Sequence, residues 1–409
     1  MADFGGTDID AFRAEARAWL AQNYPAALRD PAAKTDPEAV WGGRAFAGSG
    51  DPQAEWMRRM AAKGWTAPTW PVAYGGGGLS AEQARALGKE IGAGGYRAPL
   101  MSFGLWMLGP VLLEYGTEAQ KREHLPKIAA GDIRWCQGYS EPGAGSDLAS
   151  LQTKCEDAAD HWLINGQKIW TSYANKADWC FCLVRTDTAK KHEGISFVLI
   201  DMTTPGVETR PIKLISGDSP FCETFFTDVK IPRENLVGKV GGGWEIAKRL
   251  LQYERQNISG GFGAGGGAGG SAGDLGKIAA RYVGLDEGGA LADADLRLRI
   301  TRNKMDFQAF YLTLSRVAAE ARSSNGPSAA TSIIKYAAAT LAQERSELMI
   351  EAMGGQGLGW QGEGFAAGEV AATRGWLRSK GNSIEGGTSE VNLNVVSKRV
   401  LGLPDPKAK

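Results

Sequence analysis

Histidine and cysteine are scarce in this chain of 409 residues, with three of the first and five of the second. His124, His161 and His192 stand far apart, and Cys136, Cys155, Cys180, Cys182 and Cys222 form no Cys-x-x-Cys pair. A structural zinc and a disulfide framework therefore both fail on spacing, and buried free thiols in a reducing compartment are expected. Excess charge is missing too: 46 basic residues balance 46 acidic ones, which leaves no field to hold nucleic acid or an anionic membrane surface. No stretch of roughly 18 apolar residues is long enough to span a bilayer. The opening Met1-Ala-Asp-Phe-Gly-Gly-Thr-Asp8 has neither the basic region nor the apolar core of a signal peptide. These gaps predict a cytoplasmic protein with no nucleic-acid partner and no membrane span.

Glycine, by contrast, is plentiful at 56 residues. In the run Trp135-Cys-Gln-Gly-Tyr-Ser-Glu-Pro-Gly-Ala-Gly-Ser-Asp147, Pro142, Gly143 and Gly145 punctuate a loop whose backbone can approach a ligand. Ser140 and Ser146 add hydroxyls and backbone donors for carbonyl or phosphate oxygens. A second run, Asn165-Gly-Gln-Lys-Ile-Trp-Thr-Ser172, supplies an aromatic ring at Trp170 and hydroxyls at Thr171 and Ser172. A polar rim beside an aromatic face suits a flat redox-active heterocycle.

Periodicity divides the chain in three. Apolar residues at helical spacing predict helices over Asp8–Tyr24, capped by Asp8, and over Gln53–Lys63, Ala81–Ile91, Met101–Tyr115 and Glu118–Ile128. From Trp135 the period changes. Trp162-Leu-Ile164 and Lys168-Ile-Trp170 flank Asn165-Gly166, a strong hairpin signal, and β-branched or aromatic runs follow at Trp179–Arg185, Gly194–Asp201, Val207–Ile212 and Phe225–Ile231. Helical spacing returns at Glu245–Asn257, Asp295–Ser323, Ser328–Met353 and Ser389–Leu401. The expected fold is α+β and multidomain, with an N-terminal helical domain (1–133), a β-barrel or sandwich (134–240) and a C-terminal helical bundle (241–409). Residues 260–273 hold nine glycines in fourteen positions, which predicts a break in the bundle or a widened pocket.

The two loop motifs, taken with Gly64-Trp-Thr-Ala-Pro-Thr-Trp-Pro-Val-Ala-Tyr-Gly-Gly76, Tyr115-Gly-Thr-Glu-Ala-Gln-Lys121, Tyr253-Glu-Arg255, Met353-Gly-Gly-Gln-Gly357 and Gly386-Gly-Thr-Ser-Glu390, resemble the acyl-CoA dehydrogenase family in kind and order. The resemblance implies FAD held between the β domain and the last bundle. It assigns flavin contacts to Gln137, Tyr139, Ser140, Gly145, Ser146, Trp170, Thr171 and Ser172. Adenosine and pyrophosphate contacts fall at Met353, Gly354, Gly355, Thr388, Ser389 and Glu390, some of them reaching a neighbouring subunit, so a homodimer or homotetramer is implied and a hetero-oligomer is possible. The implied substrate is an acyl-CoA, held near Ser146, Arg255 and Gly387, and the implied electron acceptor is an electron-transfer flavoprotein. The family's Arg-x-x-Phe-Gly motif has no counterpart near Arg281-Tyr-Val-Gly284 or Arg297-Leu-Arg299.

Desaturation next to a thioester carbonyl needs a carboxylate base for the α-proton and a donor for the oxyanion. Where the best-known branch of the family has its glutamate, this chain has Gly386, whose backbone N–H can still hold the thioester oxygen. Glu254 matches the place where the isovaleryl-CoA and long-chain branches carry their base. Glu385 is the weaker candidate, one position early, and an Arg-paired surface glutamate is the plain alternative for either. Rival readings are a flavin oxidase or monooxygenase on the same fold, and a flavin-binding subunit of a hetero-oligomeric dehydrogenase.

Overall fold

The N-terminal helices start where a short polar side chain can take up backbone N–H groups that a helix leaves unpaired. Asp8 accepts from the amides of Asp10 and Ala11 and opens α1 (Ile9–Asn23). Asp51 does the same for α2 (Pro52–Ala62), while Ser80 with Gln83 and Thr117 with Gln120 form reciprocal caps for α3 (Ala81–Ala93) and α5 (Glu118–Ala130). Between them, α4 covers Gly109–Tyr115. The single helix predicted over Met101–Tyr115 is divided: a wider turn, Gly104–Leu108, precedes α4 because Pro110 has no N–H to offer the Trp106 carbonyl. This computed structural model describes residues 8–30, 35–46, 50–263, 274–323 and 331–404, excluding the side chains at 37, 254–263, 318, 321–323 and 331–332. No described helix is long and apolar enough to cross a membrane.

The β region is one eight-stranded sheet built from β1 (Trp135–Gly138), β2 (Lys154–Asp157), β3 (His161–Ser172), β4 (Trp179–Arg185), β5 (Ile195–Asp201), β6 (Val207–Ile212), β7 (Phe221–Pro232) and β8 (Leu236–Val237). The strand order is β6-β7-β3-β2-β4-β5-β8, with β1 lying parallel to β4. Alternation along β4 sends Phe181 and Leu183 into a core shared with Leu112, Leu125 and Ile128 of the N-terminal helices. Cys180, Cys182 and Val184 point to the other face, into a second core that also holds Cys136, Cys155 and Cys222. All five cysteines are free and buried.

The Asn165-Gly166 hairpin does not form. β3 runs unbroken through both residues, with a register shift against β7 between Ile164 and Gly166. Glycine is needed there for close approach: a Cβ on Gly166, whose φ is +155°, would lie 2.6 Å from Thr153 Oγ1 and 2.7 Å from Thr153 Cα. Asn165 instead pairs across the bulge, accepting from the Asp228 amide at 2.8 Å and donating to its carboxylate at 3.0 Å.

The chain divides into two compact units, one comprising residues up to Ile212 with Pro220–Glu254, the other Lys213–Ser219 with the residues from Arg255 onward. Helix α6 (Gly243–Gly263) precedes α7 (Leu275–Val283), α8 (Ala294–Ser323), α9 (Thr331–Met353), α10 (Ala367–Ser379) and α11 (Ser389–Val395). Within the second unit α9 packs against α7, α8, α10 and α11. Leu296 and Ile300 of α8 join Leu275, Ala279 and Leu348 in one cluster, and Phe310 joins Ile334 and Leu341 in another. Neither α7 nor α10 was anticipated: α7 is short, and α10 carries Gly368 and Gly375, which dilute its apolar period. The glycine-rich segment lies outside the described residues from 264 to 273.

Candidate active site

The two glycine- and aromatic-bearing motifs meet in the first unit. The Ile169 amide donates to the Ser140 carbonyl at 2.8 Å, and Lys168 Nζ donates to the Tyr139 carbonyl at 3.1 Å. Lys168 is fully buried, and its ammonium also contacts Glu141 Oε1 at 2.8 Å. That carboxylate accepts from the amides of Gln152 (2.6 Å) and Thr153 (2.9 Å), so it closes the base of the 140–153 loop. Burial pushes the Glu141 carboxyl up, but the Lys168 charge and hydrogen bond, with the backbone donors, outweigh it and hold the group below the usual carboxylate range. At the loop's far end buried Arg185 donates to the Leu151 (3.1 Å) and Ala149 (2.6 Å) carbonyls. Both ends of the loop are therefore fixed, while Gly143, Gly145 and Ser146 are exposed, and a Cβ on either glycine would meet nothing within 4 Å.

Sequence reasoning passed over Glu141, Lys168 and Arg185. A signal for Lys168 exists in its parity: it continues the alternation of Trp162 and Ile164, which places a lysine on a buried face.

A second irregularity in β3 orients Trp170. The pairing with β7 slips between Lys168 and Thr171, and Trp170 sits in that slip at φ +60°, a left-handed backbone that non-glycine residues rarely adopt. Trp170 is 52% exposed, and its ring rests edge-on against Phe221 at 6.1 Å. Tyr173, at φ +53°, ends the strand. Thr171 is buried with no partner for its hydroxyl, and Gln137 Nε2 on β1 is likewise buried and unpaired. Tyr139 packs edge-on against Phe181 at 6.1 Å. Ser140 and Ser172 are partly buried.

The remaining predicted residues lie on α6 and in the second unit. Glu254 and Arg255 belong to α6, and their side chains are outside the described residues. Met353, buried, is the last residue of α9, and Gly354 follows at φ +55° with Gly355 open beside it. Gly386 and Gly387 both have positive φ, +65° and +91°. A glutamate at the first would carry a backbone penalty of roughly 1–2 kcal/mol, so the missing carboxylate and the local backbone agree. Thr388 caps α11 by accepting from the Val391 amide at 3.2 Å, which places Ser389 and Glu390 in the first turn. Glu385 is engaged by Arg378 at 2.7 Å, the Arg-paired alternative set against it.

Three family profiles match this chain in sequence: acyl-CoA dehydrogenase N-terminal domain over residues 7–132, middle domain over 136–229 and C-terminal domain over 241–401. Acyl-CoA dehydrogenase IpdE1 of Mycolicibacterium smegmatis is 34% identical over 97% of this chain and 98% of its own length. Acyl-CoA dehydrogenase FadE34 of Mycobacterium tuberculosis is 38% identical over 86% of this chain, a match that spans 47% of FadE34. Among solved structures, the Tcur3481-Tcur3483 steroid ACAD superposes with a TM-score of 0.74 at 27% identity, covering 99% of this chain and 100% of that one. Fold, motifs and relatives define a flavoprotein oxidoreductase acting on CH–CH bonds. The chain belongs to the acyl-CoA dehydrogenase family, whose cofactor is FAD.

The residues present fit that cofactor. The unpaired buried Gln137 Nε2 and Thr171 hydroxyl, the half-exposed Trp170 ring and the open backbone at Gly143 and Gly145 offer donors, acceptors and an aromatic edge for a flat heterocycle and its phosphates.

Proposed function

We propose that this chain desaturates a CoA thioester between its α- and β-carbons, with Glu254 as the base. The observation that carries the reading is that the sequence has a glutamate at 254, in Tyr253-Glu-Arg255 on α6, and a glycine rather than a carboxylate at 386, where φ is +65°. Glu254 takes the α-proton, the Gly386 amide holds the thioester oxygen as negative charge builds on it, and Arg255, Gly387 and Ser146 bind the CoA end. FAD, when bound, supplies the acceptor for the hydride that leaves the β-carbon. Gln137, Tyr139, Ser140, Gly145, Ser146, Trp170, Thr171 and Ser172 hold the flavin end, and Met353, Gly354, Gly355, Thr388, Ser389 and Glu390 the adenosine and pyrophosphate end. The domain divisions at 133/134 and 240/241, a cytoplasmic location and an electron-transfer flavoprotein as acceptor belong to the same reading.

For the acyl group we favour a polycyclic, steroid-like body, on the ground that the Tcur3481-Tcur3483 steroid ACAD aligns over 99% of the chain. That protein is a pair, Tcur3481 with Tcur3483, which favours assembly with a second chain over a homo-oligomer. Anaerobic mixing of the FAD-loaded protein with butyryl-, octanoyl-, isovaleryl-, glutaryl- and cholyl-CoA tests substrate and reaction together. Bleaching of the flavin absorbance fastest with cholyl-CoA is expected, and no bleaching with any thioester refutes the dehydrogenase reading for the isolated chain. Glu254→Gln should keep its FAD and lose at least about 100-fold in reduction rate.

A further inference from the structure

Two side chains of α6 converge on one carboxylate of α4. Arg249 Nε donates to both oxygens of Glu114, at 3.0 and 2.9 Å, and its Nη2 donates to Oε1 at 2.6 Å. The Tyr253 hydroxyl donates to the same oxygen, and the Arg249 guanidinium lies 4.6 Å over the Tyr253 ring. Hydrogen bonding from Arg249 holds the Glu114 carboxyl below its ordinary range, while burial and Glu114 push the Tyr253 phenol up to about 12. Acceptor and donor thus keep their charge states at any working pH.

The same two helices share a core. Val111 and Leu112 of α4 are buried together with Ile246, Ala247 and Leu250 of α6. Helix α6 is therefore fastened along two lines, an apolar strip and a polar clamp centred about 80° around the axis from Leu250. The strip alone allows sliding and rotation, since apolar contacts have little direction. A carboxylate gripped at two positions one turn apart allows neither. Position 254 is the next residue after Tyr253 on the same helix.

We infer that Glu114 is a positioning residue for the reaction, fixing through Arg249 and Tyr253 the height and rotation of α6 at position 254; this rests on the reading of Glu254 as the base. Glu114 and Arg249 have side chains 35% and 38% exposed, so the clamp contributes little to stability. Its effect is geometric. Displacing a reacting group by about 1 Å can cost roughly 100-fold in rate.

The test follows flavin reduction by stopped flow in the FAD-loaded protein, with cholyl-CoA or the panel thioester that bleaches it fastest. Glu114→Ala should lower the limiting reduction rate about 10- to 100-fold while thioester affinity and FAD content stay at wild-type values. Glu114→Gln, which still accepts from Tyr253 and Arg249, should recover part of the loss. In a Glu254→Gln background Glu114→Ala should add nothing further, because no base is left to position. Tyr253→Phe removes a single oxygen and should slow reduction several-fold, which decides the matter if Glu114→Ala fails to fold. Wild-type reduction in Glu114→Ala, or in Tyr253→Phe when that variant must decide, overturns the positioning role while a slow Glu254→Gln leaves the base in place. A fast Glu254→Gln removes the base itself and the inference with it.

Discussion

Glu141 and Lys168 are unequal partners, and substituting each in turn should reveal it. In Glu141→Gln the carboxylate charge goes, and a fully buried ammonium is left facing neutral acceptors alone, the Tyr139 carbonyl at 3.1 Å and the new amide oxygen. Breaking a buried pair in this direction costs about 3–5 kcal/mol, because an uncompensated charge stays in a low-dielectric interior. In Lys168→Met the carboxylate survives beside two backbone donors at 2.6 and 2.9 Å, each a charge-assisted bond, and the methionine fills most of the lysine's volume. The expected cost is about 1–3 kcal/mol, that of a carboxylate losing one of three partners. Urea unfolding of the two variants at neutral pH measures the difference, and absorbance at the flavin band relative to protein measures cofactor retention. Glu141→Gln should be the less stable by about 2 kcal/mol and should lose FAD first, since Glu141 closes the loop that carries Gly143, Gly145 and Ser146. Equal costs, or a less stable Lys168→Met, would refute the argument that the backbone donors sustain the carboxylate.

Burial between Trp135 and Trp179 lowers the His124 pKa to about 4. Protonation therefore favours the unfolded chain, so stability is full above about pH 6.5 and falls as pH drops towards 4; at pH 5 the loss is about 2 kcal/mol. Urea midpoints at pH 5 and 7.5 should show that extra loss in the wild type and not in His124→Phe, and identical pH profiles would reject it. Gly166→Ala forces a Cβ to within 2.7 Å of Thr153 Cα and should destabilise by about 1–3 kcal/mol, seen as a lowered melting temperature; an unchanged melt would mean the bulge yields freely.

Regular elements with a strong period were readable from the residues. The runs Trp179–Arg185 and Val207–Ile212 form strands with the predicted ends, and the Asp8 cap starts its helix as expected. Elements without a period were not. The strand Lys154–Asp157 is almost wholly polar and is held by antiparallel pairing with Trp162–Asn165 just after it, a hairpin whose Ala158-Ala159-Asp160 connection carries neither glycine nor proline to announce a turn. Asn165-Gly166 misled because the same dipeptide serves a tight turn and a bulge; what decides between them is Thr153, twelve or more residues away in sequence and touching in space. In the candidate site the motif residues could be carried over by position, but the buried Lys168 could not be paired with Glu141 until the fold placed β3 beside the loop.

Of the four described non-glycine residues at positive φ, Trp170 and Tyr173 lie at the candidate site, while Ala159 lies in the β2–β3 connection and Asp228 opposite the Asn165 bulge. Gly166 and Trp170 take left-handed or near-forbidden φ within β3 and Tyr173 does so just after it, while Gly386 and Gly387 do so in the C-terminal block. Glycine explains three of them at small cost. For Trp170 and Tyr173 the surrounding structure must supply the difference, of order 1–3 kcal/mol each. Around Trp170 the supply is visible: Lys168 is fixed by Glu141 on one side, and Thr171 is paired with Cys222 in the sheet on the other, so the slip between them leaves Trp170 no regular strand position. A sheet built only for stability would have no reason to hold a large aromatic ring half in solvent at that expense, whereas a strand that must present an indole edge and a free threonine hydroxyl side by side has one. Replacing Trp170 by glycine should therefore relieve strain and raise stability while weakening FAD retention, two effects of opposite sign that a purely structural tryptophan would not produce.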